Sequence, residues 1–191
     1  MIHASRFRTT LILTIPILLL TACQKDDDPV IPNEEELITT LILTMAPSGG
    51  GDPVIWSFRD LDGDGGQNPV IVTEPLSVNT EYSTTIQLLN ETETPAEDIT
   101  EEVRMEQEEH QFFYVASAGT DLIAVYNDQD ANGNPVGLQT TISTGTVGTG
   151  TLTVTLIHLP DKTAPGVAVG LPDQAGGETD IEVVFDVEII Q

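Results

Sequence analysis

The sequence predicts an all-β fold: a single antiparallel β-sandwich of about eight strands carrying one short acidic helix. Three observations carry this expectation. First, Leu152, Val154 and Leu156 alternate with Thr151, Thr153 and Thr155, and Ile181, Val183, Phe185, Val187 and Ile189 alternate with Glu182, Asp186 and Glu188. A period of two, apolar on one face and polar on the other, is the pattern of a strand buried on one side. Second, the chain from Leu37 onward is cut into short β-branched runs by clusters of Pro, Gly, Asn and Asp, which are turn residues. Third, helical periodicity is readable in one segment only.

The chain starts with Arg6 and Arg8 and no acid, followed by an apolar run from Leu11 to Leu20 that contains Pro16. This run is too short to span a bilayer as a helix, and with its basic start it reads as a signal peptide over 1–22. Leu20-Thr21-Ala22-Cys23 resembles the lipobox of bacterial lipoproteins, whose Cys is acylated and becomes the first mature residue. Cys23 is the only cysteine of the 191 residues. A lipidated thiol is not available as a nucleophile or redox group. Residues 23–34 then read as an acidic tether broken by Pro29 and Pro32, reaching about 35 Å when extended. Within it, Lys25-Asp26-Asp27-Asp28 resembles the lipoprotein export signal of Bacteroidota, which implies the outer face of the outer membrane, with the periplasmic face as the alternative.

The domain is placed at 35–191. Strands are expected at Leu37–Thr44, Val54–Phe58, Val70–Thr73, Tyr82–Leu89, Phe112–Val115, Leu122–Tyr126 and Leu138–Thr144, besides the two alternating segments above. Thr94-Pro95-Ala96-Glu97 has the residues of a capping box. The helix it opens is predicted to run from Ile99 toward His110, with Ile99 and Val103 on its buried face.

Charge narrows the function. The chain has 31 Asp and Glu against 6 Lys and Arg, a formal charge of −25. That excludes charge-driven binding to nucleic acid or anionic lipid. The lone Cys excludes a disulfide framework and a multi-Cys zinc site. Neither Gly-x-Ser-x-Gly nor His-Glu-x-x-His occurs, and no enzyme is expected.

Two loops have the composition of calcium loops. Asp60, Asp62 and Asp64, with Gly65 behind them, and Asp128, Asp130 and Asn132, with Gly133 behind, place oxygen ligands at positions one, three and five and Gly at six. Calcium takes six to eight oxygens, and this spacing curls alternate side chains around a hard cation. Ile71 and Gln139 stand where an EF-hand needs its bidentate Glu, so a complete EF-hand is excluded. Asp, Asn and Gly are also ordinary turn residues. A second constellation, His110, His158 and Glu106, is the alternative site and would take a transition metal. It requires Glu106 and His110 to share a helix face and the helix end to meet the end of the strand carrying His158. Trp56, Phe58, Phe112, Phe113, Tyr114 and Tyr126 are expected mostly in the core.

Segments spread over the mature chain, Glu34-Glu35-Glu36-Leu37-Ile38-Thr39-Thr40, Asp60 to Gly65, Leu89-Asn90-Glu91, Ile99 to Val103, Glu109 to Tyr114 and Gly177 to Ile181, resemble a group of small envelope lipoproteins of Bacteroidota. Members are often labelled "type 1 periplasmic binding fold superfamily protein". That label implies two doubly wound α/β lobes, whereas the strand pattern here implies a sandwich. The expectation is a lipid-anchored envelope lipoprotein with a non-enzymatic binding or structural role, calcium stabilising its loops. Its partners would be the membrane, through the anchor, and an outer-membrane protein or small-molecule ligand. The alternative is a metal- or solute-capture accessory of an outer-membrane uptake system.

Overall fold

The computed structural model describes residues 36–63 and 65–191; the predicted signal peptide, Cys23, the tether and Asp64 lie outside the described residues. The described chain is an all-β, sandwich-like fold of two sheets with one short helix. The first sheet holds β1 (Thr40–Pro47), β2 (Val54–Arg59), β3 (Val70–Val72), β5 (Glu81–Asn90), β8 (Leu122–Tyr126) and β9 (Gln139–Thr144) in the order β3-β2-β1-β5-β9-β8, with β6 (Glu97–Asp98) paired to β5. The second holds β4 (Leu76–Ser77), β7 (His110–Ala116), β10 (Gly148–His158) and β11 (Glu178–Ile190) in the order β4-β11-β10-β7. No doubly wound α/β lobe is present among the described residues.

Period-two patterning becomes burial directly. Along β5, Tyr82, Thr84, Ile86 and Leu88 are buried while Ser83, Thr85 and Gln87 are exposed. Along β11, Ile181, Val183, Phe185, Val187 and Ile189 are buried while Glu182, Val184, Asp186, Glu188 and Ile190 are exposed. The inward faces of the two sheets share one core that includes Leu41, Leu43, Trp56, Leu152, Val154 and Phe185. Trp56 of β2 meets Phe185 of β11 across it, with ring centroids 5.6 Å apart. The Trp56 indole N–H donates to the Glu74 carbonyl at 2.8 Å, so this large ring is buried without an orphan donor. A second, smaller cluster lies on the other face of β7 and β10, where Phe113 and Ile157 pack with Val167 and Ala175 of the segment after β10.

Three expectations change. Among the described residues there are eleven strands, because two-residue strands such as β4 and β6 are too short to show a periodicity. The pairing is not wholly antiparallel: β4 runs parallel to the end of β11, with Leu76 opposite Ile189. The helix is shorter than predicted. Glu97 and Asp98 pair with Asn90 and Leu89, which keeps the chain extended past Thr94 and makes Asp98 the N-cap, its carboxylate accepting from the Thr100 N–H. The helix α1 (Ile99–Met105) buries Ile99, Thr100 and Val103. Thr100 covers a gap in the ladder of β5, since its hydroxyl accepts from the Leu88 N–H at 2.9 Å and donates to the Leu88 carbonyl.

Replacing Phe185 by Ala should lower unfolding free energy by ~3–5 kcal/mol in urea melts, because the ring is fully buried between the sheets and leaves a cavity. Val184→Ala on the outward face, where Val184 is 48% exposed, should change it by less than ~0.5 kcal/mol.

Candidate functional site

The inward rows of β7 and β10 end in histidine. His110 and His158 lie opposite each other in the antiparallel register, continuing the rows of Phe112 and Leu156. Cross-strand neighbours are close enough to touch, and the two rings stack at a centroid distance of 4.7 Å, tilted by 20°. Both residues are buried. Polar rings at the end of an apolar core require polar company, and three elements provide it.

The first is the turn after α1. His110 is not on the helix, which stops at Met105; it is the first residue of β7. Glu106 therefore does not share a helix face with it. What Glu106 offers is its main-chain carbonyl, 3.2 Å from His110 Nδ1. A carbonyl only accepts, so hydrogen bonding assigns the ring proton to Nδ1 and leaves a lone pair on Nε2.

The second and third elements bring carboxyl groups to that lone pair. Glu36 Oε1 is 3.5 Å and Asp180 Oδ2 3.7 Å from His110 Nε2, and the two acidic side chains are 7% and 4% exposed. Glu36 comes from the chain just before β1. Asp180 comes from an irregularity in β11: Ile181 pairs with Leu156 and Thr179 with Ile157, so Asp180 is the extra residue. By alternation Asp180 belongs with exposed Glu182, and the bulge turns its carboxylate inward instead. One ligand atom from each of Glu36, His110 and Asp180 lies within 4.8 Å of the others. Gly177 lets the chain close up behind them. Its φ is +76° and a Cβ there would stand 2.3 Å from the His158 carbonyl oxygen.

This corner is electrostatically costly. Burial, with Asp180, Glu102 and Glu106 nearby, pushes the Glu36 carboxyl up to about 8. Burial also lowers the His110 pKa, helped by His158 and Lys162 and opposed by the Glu106 carbonyl and Glu109. At 3.5 and 3.7 Å the His110 contacts are longer than hydrogen bonds, and burial governs the ring. His158 Nε2 lies 3.8 Å from Glu109 Oε2. A groove of about 500 Å³ opens beside the cluster, with Phe58 and Ile181 among its apolar lining and Asp60, Asp62, Asp180 and Glu182 among its acids.

The two acidic loops are organised by the backbone. Asp60 Oδ1 accepts from the N–H groups of Asp62 and Gly63, and Asp62 Oδ2 accepts from Gln67. In the second loop, Asp128 accepts from Gly137 through one oxygen and from Gln139 through the other. Asp130 Oδ1 accepts from Asn132 and Asn134. Its Oδ2 accepts from the Lys162 ammonium at 3.0 Å, and Asn132 is exposed. The Lys162 ammonium also donates to the carbonyls of Gln107 and Pro135. Lys162 thereby pins the segment after β10 to both the 128–135 loop and the turn after α1. Burial pushes Asp130 up, but the hydrogen bonds from Asn134, Lys162 and Asn132 outweigh it and hold its carboxyl below the ordinary value. Burial lowers the Lys162 pKa against the opposing pull of Asp130, Asp128 and Glu108.

The structure thus brings His110 and His158 together, groups Glu36 and Asp180 with His110, and leaves the Glu106 carboxyl outside that group, though near enough to Glu36 to raise its pKa. The Asp60 and Asp130 loops belong to different parts of the fold. Trp56, Phe112 and Phe113 are buried and form no exposed platform. Sequence reasoning missed Glu36 and Asp180. Glu36 is one acid in a run of three, and the alternation of β11 assigns Asp180 to the outward face.

The site is thus a polar, acid-rich end on a β-sandwich, with a groove at its mouth. Compared with known proteins, the chain matches no family model, no curated protein and no solved structure.

Asp130→Ala should cost ~3–5 kcal/mol in urea melts, since it leaves a buried ammonium without its counter-charge. Asp130→Asn combined with Lys162→Met should cost clearly less than the sum of its single changes. The sign with pH follows from the lowered Asp130 value. Its stabilisation is complete above the unfolded value near 3.8 and is lost as the pH falls through the lower native value. The double variant should lose less stability than the parent between pH 4 and pH 2.

Proposed function

We propose that this protein is a lipid-anchored envelope lipoprotein, similar to the small lipoproteins of Bacteroidota, whose β-sandwich domain has a non-enzymatic binding or structural role. In this reading the signal peptide 1–22 is removed, Cys23 carries the acyl chains and residues 23–34 hold the domain off the outer face of the outer membrane. The observation that carries it is the position of the chain's only cysteine, at the end of Leu20-Thr21-Ala22-Cys23 behind a short apolar run. More than one acyl chain gives stable anchoring where a single chain does not.

The groove beside Asp180 supports a binding role. Its carboxylates and apolar lining suit a ligand that carries positive charge next to a hydrophobic part, and such a ligand is matched by charge to a domain this acidic. Calcium is assigned to Asp60, Asp62 and Asp64, because in the other loop Asp130 already has the Lys162 ammonium as its counter-charge. The second reading, a metal- or solute-capture accessory of an uptake system, is favoured by the convergence of Glu36, His110 and Asp180.

The anchor is tested in a diderm host by labelled palmitate and detergent phase partition. The parent should take up label and enter the detergent phase, and Cys23→Ala should do neither. A Cys23→Ala chain that stays labelled and membrane-bound refutes the reading. For calcium, melting midpoints in EDTA and in excess calcium should differ; coincident curves remove that ion from the proposal.

A further inference from the structure

We infer that Glu36, His110 and Asp180 form a binding site for a single first-row divalent transition ion, of which Zn²⁺ is the type, clamping the start of the domain to its second sheet. The inference is independent of the lipid anchor.

His110 Nε2 stands 3.5 Å from Glu36 Oε1 and 3.7 Å from Asp180 Oδ2. These are too long for hydrogen bonds. Ligand atoms bound at ~2.1 Å around a tetrahedral ion are ~3.4 Å apart, so the two spacings from Nε2 fit groups facing one ion, and the two carboxylates lie within 4.8 Å of each other. A second observation is independent of this. Glu36 Oε2 is buried and has no hydrogen-bond partner among the described residues. An unsatisfied buried carboxylate oxygen is costly, and a cation in the cluster would satisfy it.

The ring is prepared for the task. A metal-binding histidine usually donates its other ring N–H to a carbonyl or carboxylate, which fixes tautomer and orientation. The Glu106 carbonyl does this at Nδ1. His158 stacks against the same ring and restrains its tilt.

The donor set selects the ion. One imidazole nitrogen disfavours Ca²⁺ and Mg²⁺, which prefer oxygen alone, and the lack of thiolate in the set disfavours Cu⁺. One imidazole with two carboxylates suits Zn²⁺ and its neighbours. Three protein donors leave a fourth position for water. The groove lined by Asp180 gives an ion a route from solvent.

The ion would join three parts of the chain. Glu36 directly precedes the run into β1, His110 opens β7, and Asp180 is the bulged residue of β11. β1 lies in the first sheet, and β7 and β11 lie in the second.

The test uses the purified full-length chain in detergent, stripped with EDTA and titrated with ZnCl₂ by calorimetry in 1 mM CaCl₂. One equivalent should bind despite the calcium, with a raised melting midpoint. Asp180→Asn and Glu36→Gln preserve shape, and each should weaken Zn²⁺ binding by at least ~100-fold while still melting cooperatively. Asp186→Asn and Glu188→Gln, which alter exposed acids farther along β11, should leave binding unchanged within about threefold. Failure of the parent to bind Zn²⁺, or displacement of Zn²⁺ by that calcium, overturns the site. Equal weakening by the Asp186 and Glu188 variants overturns it too, by showing diffuse attraction to acids. Cys23→Ala should bind Zn²⁺ like the parent, so loss of the anchor and loss of the ion are read apart.

Discussion

Burial of one face of each sheet against the other is the constraint on which the rest depends. Strands such as β5 and β11 expose every second side chain, and the apolar half must find a cover. Two sheets face to face are that cover, and Trp56 against Phe185 marks where they meet. The high acid content fits this arrangement because Glu182, Asp186 and Glu188 fall on the outward parity of β11. Charge repulsion is kept in water, where screening is strong.

Where the apolar rows stop, the problem reverses. His110 and His158 take inward positions at the end of β7 and β10, and a buried imidazole needs polar neighbours. The turn after α1 gives a carbonyl, the chain before β1 gives Glu36 and the bulge in β11 gives Asp180. The cluster is thus a consequence of how the sandwich is closed at one end. Burial first, and then the acids beside it, raise the pKa of Glu36.

The acidic loops illustrate a second use of carboxylates. Asp60, Asp62, Asp128 and Asp130 accept from main-chain N–H groups that no strand pairs. Asx-type hydrogen bonds of this kind hold turns in shape. At Asp130 the fold adds a buried cation from its own chain. Lys162 supplies three donors to one carboxylate and two carbonyls, and so ties the cover of the second cluster to a distant loop.

The sequence by itself determined the fold class, the positions of the long strands and which of their faces are buried, because these depend on alternation, and alternation is local. Ile99 and Val103 as the buried face of a helix were readable for the same reason. What only the tertiary structure decided was non-local: the start of α1 at Asp98, the parallel pairing of β4 with β11, the pairing of Lys162 with Asp130 and the meeting of Glu36 with Asp180 at His110. The bulge at Asp180 leaves no mark in the pattern, since the residues before it, Glu178 and Thr179, are both polar and carry no alternation to interrupt. Convergence of groups 74 and 144 positions apart in the chain depends on sheet register, and register is set by the packing of the whole core.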